Sequence, residues 1–274
     1  MEILYTTSYV YNRHSDELGM HGGMEAGIVG ALLGSAVDAL VVDNVKKAVP
    51  GGAHGSQDTV VAHGDLLPAG WFAAGQTLQK TVWLTLPAEA PPDAHGAITQ
   101  IQWKARAVIE LPYARDAHAE QEFAVRAPAP ATPIEPATLK INECEIAVKL
   151  PGYMYRPGDA ISGTVEITPH LAFGVSAVRV ELVCHEDVSV DLGNAADTVV
   201  SQVVAAQDPQ YLPGSSRQYP FTLDIPPDSC PSLITSLTSV QWQLRVVLSR
   251  AMQHDDQLAQ PICVYRSPLT SPGP

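Results

Sequence analysis

The chain has 274 residues and a formal net charge of −13, with 46% hydrophobic and only 16% charged residues. It is long enough for one large domain or two ordinary ones with a filled core, and poorer in charge than the usual quarter. Residues 1–127 carry 8 basic and 14 acidic side chains, and the remainder 8 and 15. The acidity is therefore even, and no Lys/Arg cluster exists to meet a nucleic-acid backbone or an anionic lipid surface. Twenty glycines and 23 prolines imply many turns and favour a β-rich protein.

The opening "MEILYTTSYVYNRHSDE" has an acid at position 2 and no basic start ahead of an apolar run. It is not a signal peptide, and a cytoplasmic location is expected. Its apolar alternation predicts a strand over 2–12.

"MEAGIVGALLGSAVDALVVDNVKK" at 24–47 lacks proline and reads as a helix. At 100° per residue Ile28, Val29, Leu32, Leu33, Ala36, Val37 and Leu40 share one side, and Gly27, Gly30, Ala31, Gly34, Ser35 and Asp38 the other. Lys46 and Lys47 suit the C-terminal end of its dipole. The apolar run of 27–42 is short for a membrane span and contains Asp38, so no transmembrane segment is expected. Two other readings stand. The helix packs on the first domain, or its side with Gly27, Gly30, Gly34 and Asp38 binds a partner or a second copy.

The tetrapeptide "DTVV" occurs at 58–61 and at 197–200, an offset of 139. Kept without gaps, that offset sets Phe72 on Tyr211 and Gly75 on Gly214. It sets "VWLTLP" on "FTLDIP", and Ile101, Gln102 and Trp103 on Val240, Gln241 and Trp242. Val108, Ile109, Asp116 and Val125 fall on Val247, Leu248, Asp255 and Val264. The matched apolar positions alternate as strands require. The period is far longer than that of a solenoid, so two homologous β domains are expected. The first, residues 1–127, has strands near 2–12, 57–63, 79–86, 98–111 and 121–126. Counterparts of the second copy's first two strands would lie ahead of Met1, and an open edge is expected unless the helix covers it.

"RAPAPATPIEPA" at 126–137 reads as a stiff extended connection, with the linker proper at 128–137. The second domain, 138–267, has strands near 139–149, 160–167, 176–186, 197–204, 217–225, 239–250 and 260–266. They suit a two-sheet sandwich, followed by a tail at 268–274. "RPGDAISG" is a turn built on Pro157 and Gly158. Cys144, Cys184, Cys230 and Cys263 contain no CxxC pair and are expected as reduced, buried thiols.

"YRPGDAISGTVEI" at 155–167, "YPFTLDIPPDSCPS" at 219–232 and "SVQWQLRVVLSR" at 239–250 resemble the arrestin-like β-sandwich superfamily. That group includes arrestins, the retromer cargo-binding subunit and bacterial sporulation-control proteins. The family pattern is a Pro-Gly-acid turn before a Gly-Val strand, then a Pro-Phe strand ending in an apolar-proline pair. A Pro-Ser step and a strand entered through an aromatic follow, with Trp242 at the aromatic place. The first domain echoes the later half in "LTLPAEAPPDAHG" and "ITQIQWKARAVI". The resemblance implies an all-β protein of two tandem arrestin-like sandwiches, the first incomplete and carrying the inserted helix. It implies a non-enzymatic adaptor or scaffold that binds proteins, a membrane protein's cytosolic segment among the candidates. Of the group, the sporulation-control proteins contradict this chain least. The early strand that bears phosphate-sensing lysines in visual-type arrestins is missing, and "SPLTSPGP" lacks a PPxY tail, so neither property carries over.

No GxSxG, P-loop, HExxH or GxGxxG occurs, so no catalytic residue or cofactor is expected. "MHGGM" at 20–24 reads as a turn. His185, Glu186 and Asp187, like His254, Asp255 and Asp256, are metal-capable types, but strand ends normally carry such solvated groups and no metal is expected. Trp103 and Trp242 read as core. The expected function is partner binding through sheet edges and the interdomain cleft, with a homodimer through the open edge as one outcome. The alternative is an exported tandem-sandwich adhesion or cell-wall module, which would need a secretion signal and oxidised cysteines.

Overall fold

The computed structural model describes residues 1–11, 53–67, 70, 75–77, 79–111, 113–126, 132–189, 194–251 and 254–266. The helix read at 24–47, with Gly27, Gly30, Gly34 and Asp38, lies outside them. The described chain is all β, and no helix in it is long and apolar enough to cross a membrane.

The first half forms one sheet. Its strands are β1 (Glu2–Tyr11), β2 (Ala53–His63), β3 (Ala94–His95), β4 (Thr99–Ile109) and β5 (Ala117–Phe123). Their order is β2-β1-β4-β3, with β5 also on β4.

The second half forms a sandwich. One sheet runs β12 (Asn194–Gln207), β11 (Ala177–Val188), β16 (Thr238–Ser249), β17 (Asp256–Val264) and β8 (Met154–Tyr155), with β15 (Leu233–Ile234) on β16. The other runs β14 (Arg217–Asp224), β9 (Ala160–Pro169), β7 (Cys144–Lys149) and β6 (Thr138–Lys140). β10 (Phe173–Gly174) and β13 (Gln210–Tyr211) pair at one end, where the Phe173 and Tyr211 rings stack at 4.7 Å. Alternation turns Trp242, Leu244, Val246 and Leu248 of β16 inward against Ile146, Val165 and Ile167 of the opposing sheet, all at most 3% exposed.

Several residues 139 positions apart make matching contacts. Trp103 Nε1 donates to Pro91 O at 2.9 Å, and Trp242 Nε1 to Cys230 O at 2.9 Å. Leu111 N donates to Asp116 Oδ1, and Arg250 N to Asp255 Oδ1. Arg106 reaches Asp58 as Arg245 reaches Asp197. The ladder of β1 on β2 skips Val61, and that of β11 on β12 skips Val200. Gly75 and Gly214 share a left-handed φ, 81° and 78°, which glycine adopts without strain.

One expectation needs correction. Residues 79–86 were expected as a strand, and they form none. Their counterpart β14 is a strand because β9 pairs with it from Arg217 to Asp224. No counterpart of β9 stands beside 79–86 among the described residues, so the alternating sequence has no ladder to join.

Burial differs accordingly. Leu248 is 0% exposed and its counterpart Ile109 is 58% exposed. The main core nonetheless runs from the sandwich into the first half, through Ala94, Ile101 and Trp103. At the connection, Gln260 is fully buried. Its Oε1 accepts Ala137 N at 2.6 Å, and its Nε2 donates to Glu135 O. This ties the end of the Pro/Ala-rich stretch to β17.

Candidate functional site

The two halves meet where equivalent loops face one another. The turn after Pro87 closes with Ala90 N on Pro87 O, and the turn after Pro226 with Ser229 N on Pro226 O, each 3.1 Å. The indoles of Trp103 and Trp242 hold the two loops from below. Between them opens a cleft of about 680 Å³. One wall is the backbone of 88–92, with Pro91 and Pro92. The other is Pro231, Leu233 and Ile234, then Trp242, Pro261 and Ile262 from β16 and β17. Tyr265, Arg266 and Glu89 also line it. Mostly apolar walls with few polar groups, at this volume, describe a binding cleft. Ile234, 77% exposed on the wall, is the apolar side chain most open to a ligand.

The arginines beside the cleft are engaged. Arg266 lies 3.7 Å from Asp93 Oδ2 and donates to Ser229 O at 3.3 Å. Asp93 Oδ1 is buried with no hydrogen-bond partner among the described residues. The guanidinium of Arg156 sits 5.8 Å from the Tyr265 ring centre, within cation–π range.

A second junction joins the two halves. Glu186 on β11 is 3% exposed. Its carboxylate accepts the backbone N–H groups of Ala97, Ile98 and Thr99 at 2.6, 3.0 and 3.0 Å. Beside it Val10, Ile98 and Val188 make a small apolar cluster, and Asn194 Nδ2 donates to Val10 O. In the second half the same turn is capped locally. Thr235 Oγ1 accepts from Leu237 N and Thr238 N. Position 96, the counterpart of 235, is glycine, and a Cβ there would fall 2.6 Å from Glu186 Cδ.

The metal-capable clusters are likewise occupied. His185 Nδ1 lies 2.6 Å from Asp197 Oδ1. That bond, and then the one from Arg245, hold the Asp197 carboxyl below its usual range. Asp255 serves Arg250 N, and Asp256 pairs with Arg250 Nε at 2.6 Å. No cluster suited to a metal occurs among the described residues. Trp103 and Trp242 are core, at 0% and 3% exposure. The four cysteines are unpaired and buried. Glu186 as an interhalf strap was not legible beforehand; Gly96 opposite Thr235 in the repeat was the available signal.

A β-sandwich with this strand order, joined to a second sheet through a loop-lined cleft, has an arrestin-like fold. Residues 142–269 match the family model described as Arrestin (or S-antigen), C-terminal domain. Among solved structures, the Spo0M sporulation control protein from Bacillus subtilis matches at 20% identity and a TM-score of 0.40. That match covers 46% of this chain and about half, 51%, of the other. No curated protein matches.

Proposed function

We propose that the chain is a non-enzymatic adaptor of two tandem arrestin-like units, 1–127 and 138–267, which binds an apolar segment of a partner protein in the cleft. The cleft carries the reading. It is apolar and lies between the loops of the first and second halves, with Arg266 in its lining paired to Asp93. Pro91, Pro92, Pro231 and Pro261 line it, so its walls are preorganised and lose little entropy when a ligand is ordered. The partner is a protein segment such as the cytosolic part of a membrane protein. Four unpaired cysteines support a cytoplasmic location over an exported module.

The test places a photocrosslinking residue at Ile234 and, separately, at Val60, which is exposed on the first half. A protein adduct formed from position 234, competed by unlabelled chain and absent from position 60, is the expected result. Equal adducts from both positions sink the cleft as the site.

A further inference from the structure

Residues 79–86 keep the alternation of a strand without its ladder. Val82, Leu84 and Leu86 are half-buried, while Thr81, Trp83 and Thr85 are exposed. Leu86 packs on the main core, and Leu84 lies against the end of β2 at Gly64. Trp83 is 92% exposed. No backbone hydrogen bond joins this stretch to another described residue. Among the described residues its amides and carbonyls have no backbone partner, along a stretch of high β propensity with no charge between Thr81 and Leu86.

The second half shows what such an edge accepts. β14 takes β9 antiparallel, and Ile161, Val165 and Ile167 of β9 then lie on the sheet below, each 0% exposed. The corresponding slot in the first half is deeper. Ala105, Ala107 and Ala119 stand where the second half has Leu244, Val246 and Leu258, and Ile109 beside them is uncovered. We propose that residues 79–86 capture an extended strand of a partner protein, antiparallel, in the place that β9 takes against β14. The captured strand alternates, with its apolar face on Ala105, Ala107 and Ile109. Because that floor is lined by alanine, the strand's inward residues reach further than the Ile and Val of β9, as Met or Phe do. A second copy of the same edge fits this slot poorly. Twofold pairing would put both copies' large sheets on one side of the new strand pair, in overlapping space.

The inference rests on the protein-binding reading but not on the cleft. The probe is a synthetic peptide with the sequence of residues 159–168 in which the positions of Ile161, Val165 and Ile167 are phenylalanine. It is added to the full chain and followed by amide hydrogen exchange and Trp83 fluorescence. Saturable binding with exchange slowed about tenfold or more across 79–86 is expected. A peptide N-methylated on the edge-facing nitrogens should not bind. Trp83→Ser should fold normally and bind more weakly. Ile234→Asp, which alters the cleft, should leave peptide binding unchanged. Absence of saturable binding, protection at 217–224 instead, or equal binding of the N-methylated peptide overturns the proposal. So does a peptide-free dimer in which 79–86 is already protected.

Discussion

The carboxylate of Glu186 fills the space that a side chain at position 96 would occupy. Thr235, the repeat's counterpart of Gly96, caps its own turn. Glycine cannot, and Glu186 caps that turn from the other half. Glu186→Ala leaves the buried N–H groups of Ile98 and Thr99 without their acceptor and should cost about 3 kcal/mol, given about 1–3 for each unsatisfied buried group and imperfect additivity. Gly96→Thr alone should also destabilise, because the new side chain meets Glu186. Combined with Glu186→Ala, the threonine can cap its own turn. A double-mutant cycle by urea unfolding should therefore show the double variant more stable than the sum of the two losses. Simple additivity would deny that the two positions exchange one role.

Ile109 and Leu248 test the missing layer. Leu248 lies between two sheets, and its truncation to alanine should cost about 2–5 kcal/mol through lost transfer energy and a cavity. Ile109 is half in water, so Ile109→Ala should cost about 1 kcal/mol or less. Equal losses in chemical denaturation would mean that Ile109 is covered in solution.

The second half was legible because each strand's inward residues find a facing sheet. The expected 160–167, 217–225 and 239–250 return as Ala160–Pro169, Arg217–Asp224 and Thr238–Ser249. The offset was legible because Trp103 and Trp242 keep both their neighbours and their hydrogen bonds. The error at 79–86 has one cause. Alternation reports which face is apolar, whereas a strand also needs a neighbour, and no local pattern reports whether that neighbour exists. The cleft was expected only as a place, since its lining comes from loops far apart in the chain. Glu186 was read as a solvated strand-end residue, because its partners are backbone amides 87 to 89 residues away.

The thiols should be inert in the native chain. Burial pushes Cys144 up to about 11 and Cys230 to about 12, and raises Cys184 and Cys263 as well. A thiolate is the reactive form, and at pH 8 little of it exists at such sites. Ellman's reagent should find no fast-reacting thiol in the native protein and four in denaturant. A rapidly labelled native cysteine would contradict the packing of its sheet.

Asp197 offers a test by acid. Its carboxyl is depressed by His185 first and Arg245 second. A carboxylate lowered on folding adds stability above its unfolded value of about 3.9, and that contribution is lost as pH falls through the lowered folded value. Asp197→Asn should therefore be less stable than the parent chain at pH 7, and the gap should close towards pH 3. The residue is 43% exposed, so water screens the effect and the gap at pH 7 should be small. Urea midpoints for both chains across that range give the answer. A gap that persists undiminished at pH 3 would show that Asp197 acts through packing or neutral hydrogen bonds. The His185–Asp197–Arg245 contact would then be a consequence of the β11–β12 register instead of a support for it.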